Sequence, residues 1–180
     1  MFTGSSMQLA GGVVFTLLLV VGCVTDLRSR KIPNELVLAI LVTGWLFALI
    51  VSPNAVRAVG MSLAGTAVGF GIWILFYLVG VIGAGDVKFF AAAGAWLGPG
   101  ATWRAALVAA VAGGVLAIVM LLMEKRLGAV LRRIALATSS RTLVAVPEQS
   151  IMPGDKHRHL PYGVALAIGA LVVAWVPGLN

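Results

Sequence analysis

The stretch Met7–Thr25, MQLAGGVVFTLLLVVGCVT, carries no charge and stops at Asp26-Leu27-Arg28-Ser29-Arg30-Lys31. A helix of roughly 20 apolar residues is what the ~30 Å hydrocarbon core of a bilayer requires. The stretch therefore predicts a membrane-spanning helix whose end is marked by one acid and a cluster of bases. Five more apolar stretches follow, at about Leu36–Val51, Val59–Ile82, Val87–Leu97, Ala105–Met123 and Leu160–Val176. The fourth is short because Gly98-Pro99-Gly100 breaks it. Its apolar part covers only about half a bilayer, which is tolerated where protein surrounds it.

Composition points the same way. Hydrophobic residues make up 61% of the 180 and charged residues 11%, against about 25% charged in soluble domains. The predicted fold class is all-α, a polytopic membrane helix bundle forming one domain over residues 1–180 with about six transmembrane helices. No charge precedes Asp26, so the basic start of a cleavable signal is missing and the first stretch is expected to remain as a span. Cys23 is the lone cysteine and lies inside an apolar run. It has no partner for an internal disulfide or a zinc pair, and reads as a small helix-packing residue.

The net charge of +7 belongs to orientation. Arg28, Arg30, Lys31 and Lys88 lie beside the first and third loops, and Lys125, Arg126, Arg132, Arg133, Arg141, Lys156 and Arg158 lie in the fifth. Only Arg57 and Arg104 fall on the other side. The positive-inside rule places the odd loops in the cytoplasm and both termini outside. With the bases explained by topology, nucleic acid is not an expected partner. Residues 124–159 are the one sizeable extramembrane piece. Leu127, Val130, Leu131, Ile134 and Leu136, with Arg132 and Arg133 between them, predict an amphipathic helix on anionic headgroups of the inner leaflet.

Six acids are few, so each one counts. Asp26 closes the first apolar stretch, and Asp86 opens the fourth within Gly83-Ala84-Gly85-Asp86-Val87-Lys88. Both fall on the cytoplasmic side of the predicted topology. A carboxylate at a membrane boundary is costly to keep dry and marks a candidate site. Two readings stand for this pair. They are ordinary helix-end or loop acids, Asp86 being favoured in a helix's first turn by the helix dipole. Or they share one site, where two carboxylates cannot both ionise cheaply and so provide an acid and a base together. That pairing activates water and protonates a leaving amine. The glycines at 83 and 85 predict a tight turn and close approach by another segment.

Three motifs bear on the choice. Asp26-Leu27-Arg28-Ser29-Arg30-Lys31-Ile32-Pro33-Asn34 follows the first span, Gly83–Lys88 precedes the fourth, and Leu160-Pro161-Tyr162-Gly163 opens the last. Together, in this order among six spans, they resemble the type IV prepilin peptidase family, the GxGD-type membrane aspartyl proteases. The match is to the short form associated with tight-adherence pili, without a methyltransferase domain, and it covers about Met7–Ala170. The resemblance implies an enzyme in which Asp26 and Asp86 are the catalytic pair. It would remove the basic leader of a prepilin or pseudopilin at the cytoplasmic face of a bacterial inner membrane. It implies no cofactor or metal, and methyltransferase activity is not expected. Archaeal preflagellin peptidases are a close alternative. A small transporter or a non-catalytic membrane scaffold is the alternative from another class, and a transporter predicts carboxylates nearer the bilayer midplane.

The remaining motif residues have two readings each. Lys88 is a charge near Asp86 or a snorkelling interface residue. Asn34 caps the second helix or holds a carboxylate by hydrogen bond. Pro161 fits a first-turn proline. Tyr162 lines a cleft or sits as an interfacial aromatic. Gly83, Gly85 and Gly163 complete the motifs. His157 and His159 lack the spacing of a zinc helix.

Overall fold

The computed structural model describes residues 2, 6–29, 31–123, 162–176 and 178. Every element among them is helical: α1 (Ser6–Ser29), α2 (Asn34–Val51), α3 (Ala55–Leu78), α4 (Ala84–Met123) and α5 (Tyr162–Trp175). The first four are long and apolar enough to cross a membrane. They also present large side chains outward, such as Leu17 at 60% exposure and Ile50 at 65%. Apolar surface of that kind is unfavourable in water and suited to lipid, as in an integral membrane protein.

The chain divides into two compact units, residues 1–113 with 161–180, and residues 114–160. Within the second, only the end of α4 up to Met123 is described. The predicted amphipathic helix, the two histidines and Pro161 lie outside the described residues.

The described residues form five helices where the sequence shows six apolar stretches. The fourth and fifth stretches are continuous in α4 and change direction at Gly98, whose φ of 71° suits glycine. Pro99 follows, with no N–H to return to the carbonyl of Ala95 four residues back. Ser62 of α3 supplies the missing donor, its hydroxyl reaching Ala95 O at 2.6 Å. The Thr102 hydroxyl donates to Gly98 O at 2.7 Å. The break is thus satisfied by neighbouring side chains in a place water does not reach. Residues 87–97 are buried throughout except Lys88, so this short half-helix is the one that protein surrounds.

Small residues let the helices meet. A Cβ on Gly65 of α3 would run into the carbonyl of Gly94 in α4, and one on Gly94 into that of Gly65. Backbone against backbone at this crossing leaves room for hydrogen only. Gly169 of α5 meets Ala105 and Ala109 of α4 in the same way. At the far end from Asp26, Phe2, Phe15, Phe47, Trp96 and Trp175 form an aromatic cluster, with Phe47 stacked on Trp96 at 5.0 Å. Trp96 Nε1 donates to Ile40 O at 2.8 Å, and Trp175 Nε1 to Thr16 Oγ1 at 3.0 Å.

Candidate active site

Helix α1 runs to Ser29, so Asp26 lies within its last turn and not beyond it. The extension brings Asp26 inward, where it is 6% exposed. A buried carboxylate needs hydrogen bonds. The amide of Gly163, in the first turn of α5, donates to Asp26 Oδ2 at 3.1 Å. The amides of a helix's opening turn have no partner inside the helix and form the positive end of its dipole. The motif glycine is therefore a backbone donor aimed at the carboxylate. It must also be small, because a Cβ there would lie 2.7 Å from Asp26 Oδ2 and 3.1 Å from Cγ.

Asp86 stands in the first turn of α4 and is partly buried. Its Oδ2 accepts from the amide of Gly83 at 3.2 Å, folding the side chain back over the turn. A Cβ on Gly83 would come within 3.3 Å of that oxygen. Neither Gly83 nor Gly85 has positive φ; the left-handed turn residue is Gly80, at 75°. Gly85 faces Ile32 of the α1–α2 connection, 4.0 Å from where its Cβ would be. Gly83 thus serves less for a strained turn than to leave room for the Asp86 carboxylate.

One contact fixes the pair. A Cβ on Gly22 of α1 would lie 2.5 Å from the Phe89 ring of α4. Gly22 is four residues before Asp26 and Phe89 three after Asp86, so each shares a helix face with its aspartate. Docking ring on glycine brings the helix ends that carry the two acids together. Sequence reasoning gave Gly22 and Phe89 no role, although their spacing from the aspartates was a usable signal.

The other motif residues divide. Asn34 is the first residue of α2 and Pro33 its cap, with no side-chain cap bond, so Asn34 is not the N-cap. Its side chain is exposed. Lys88 is exposed as well, in keeping with a residue reaching for the interface. Tyr162 is half-buried, and its ring would meet a Cβ placed on Gly113 at 3.0 Å. It packs between helices instead of standing at the surface. Cys23 is half-buried near Gly163, with Sγ 4.0 Å from that residue's carbonyl oxygen. Among the described residues no group of three His, Cys, Asp or Glu side chains is placed to hold a metal ion.

Two carboxylates of unequal burial, each held by one backbone amide and carried on helix ends that the Gly22–Phe89 contact brings together, can work as an acid and a base on water. The profile of the type IV leader peptidase family matches residues 13–118, a span that contains both aspartates. A prepilin leader peptidase/N-methyltransferase from Pectobacterium carotovorum subsp. carotovorum is 33% identical over 120 residues, 63% of this chain and 42% of that protein. The chain thus spans less than half the length of this curated relative. No solved structure matches.

Proposed function

Because the chain belongs to the type IV leader peptidase family, we propose that it is an aspartic endopeptidase that removes the leader of a prepilin-like precursor. The observation that carries this reading is the contact of Gly22 with Phe89, which brings together the helix ends that bear Asp26 and Asp86. The pair shares one proton. The ionised carboxylate takes a proton from water as it attacks the scissile carbonyl, and the protonated one gives its proton to the departing amine. Asp26, fixed by Gly163, is positioned from a rigid helix end, which suits a group that must be held within a fraction of an ångström.

The substrate is a chain with a basic leader ahead of a hydrophobic helix, of the tight-adherence type. Its helix docks laterally in the bilayer and the scissile segment stays extended at the membrane surface. The distribution of basic residues supports a cytoplasmic position for both aspartates in a bacterial inner membrane, with both termini outside. The proposal covers the peptidase step alone. A transporter reading is disfavoured because both carboxylates stand at helix ends, not at mid-span. The test is direct. The full chain, reconstituted in vesicles with a tight-adherence prepilin, should release the leader as a single peptide seen by mass spectrometry. An intact precursor after prolonged incubation with folded protein would refute it.

A further inference from the structure

At the opposite end of the bundle a cavity of about 270 Å³ opens between α2, α3 and the break in α4. Helix α3 is 24 residues long, so its start stands about 36 Å along the helix from the turn that leads to Asp86. Phe47, Ala48, Ala58, Met61, Trp96 and Leu97 line the cavity, together with Arg57. We infer that it holds one acyl chain of an anionic phospholipid, whose phosphate sits on the Arg57 guanidinium. The inference stands apart from the proposed peptidase activity and requires only that the bundle lies in a membrane.

The lining decides the occupant. Its polar groups are already engaged: Trp96 Nε1 by Ile40 O, and the Ser62 hydroxyl by Ala95 O. What remains is an apolar wall with nothing to orient a polar ligand. The volume falls just under the roughly 300–1,000 Å³ of small-molecule sites, which suits a slender chain. The charge is at the edge. Arg57 is exposed, and among the described residues its side chain has no ion-pair partner. None of the cavity's lining residues is acidic. Asn54 caps α3 by accepting from the Arg57 amide at 3.0 Å, so the positive end of that helix adds to the guanidinium. An apolar slot beside an exposed cation at a helix end has the layout of a phospholipid, chain inward and phosphate outward. The slot lies beside the α4 break at Gly98.

The test uses the full chain purified in detergent, stripped of lipid, then offered phosphatidylglycerol or phosphatidylcholine and examined by native mass spectrometry. One phosphatidylglycerol per chain is expected, preferred about five-fold, the worth of one arginine beside an anionic headgroup. Arg57→Gln should remove the preference, and Ala58→Phe should remove retention of either lipid. In the unaltered protein, phosphatidylglycerol with a photoreactive acyl chain should label residues 47–62 or 95–98. Equal retention of the two lipids, a preference that survives Arg57→Gln, or retention that survives Ala58→Phe would overturn the inference. So would labelling confined to other segments, or a lipid-free dimer in which a second copy covers the groove.

Discussion

The amide of Gly163 donates to Asp26 Oδ2 across 3.1 Å, joining the first helix to the last described one through a candidate catalytic group. The bond and the lack of room for a Cβ make one prediction. Gly163→Ala keeps the amide but drives a methyl group into the carboxylate. Misplacement on the scale of an ångström costs about a hundred-fold in rate. Prepilin processing by Gly163→Ala should fall by about that factor while membrane insertion and helix content, read by circular dichroism, stay normal.

Gly22 and Phe89 should be coupled. Gly22→Ala pushes against the Phe89 ring, and overpacking of this kind costs about 1–3 kcal/mol. Phe89→Ala removes the ring and leaves a void. The double variant should be more stable than the sum of the two single losses, since each change relieves the other. Reversible unfolding in mixed micelles measures the cycle. Additive losses would mean that the two residues do not meet.

Two glycines in α3 should behave in opposite ways. Gly65→Ala meets the Gly94 carbonyl, a backbone atom that cannot swing aside. It should prevent stable folding or lower the unfolding temperature sharply. A Cβ on Gly60 meets nothing within 4 Å. Gly60→Ala should leave stability unchanged or raise it by up to about 1 kcal/mol, the helix-propensity difference. A thermal melt of both variants checks the pair.

Ser62→Ala should leave the Ala95 carbonyl without a donor, because Pro99 has none to give. An orphaned buried acceptor costs about 1–3 kcal/mol. The loss should appear as a lower unfolding midpoint. Amide exchange should rise first in the half of α4 on the Ala95 side of the break.

The places of Asp26 and Asp86 at helix ends were legible because the ends of apolar runs mark where spans stop. Gly98-Pro99-Gly100 was legible as a break for the same local reason. What partners each break or acid was not. Ser62 looks like any small polar residue of a span until α3 is laid beside α4. Hydropathy falls at Asp26, which left it a helix-end or loop acid in the sequence, while the helix continues on backbone bonds to Ser29. The Gly163–Asp26 bond joins residues 137 apart in sequence. No local pattern encodes such a pairing, although a glycine in the opening turn of an apolar helix hints at an exposed amide. Asn34 failed as a cap because Pro33 already sets the helix start.

The central claim is that Asp26 and Asp86 form one catalytic pair, and the most direct measurement is prepilin processing by Asp26→Asn and Asp86→Asn. Each amide keeps the size of the acid and removes its proton chemistry. Each variant alone should lose at least about a thousand-fold in rate, and the double variant should lose little more, since residues acting as a unit are not additive. Properly inserted protein that still releases the leader at the unaltered rate, with either aspartate replaced, would contradict the account.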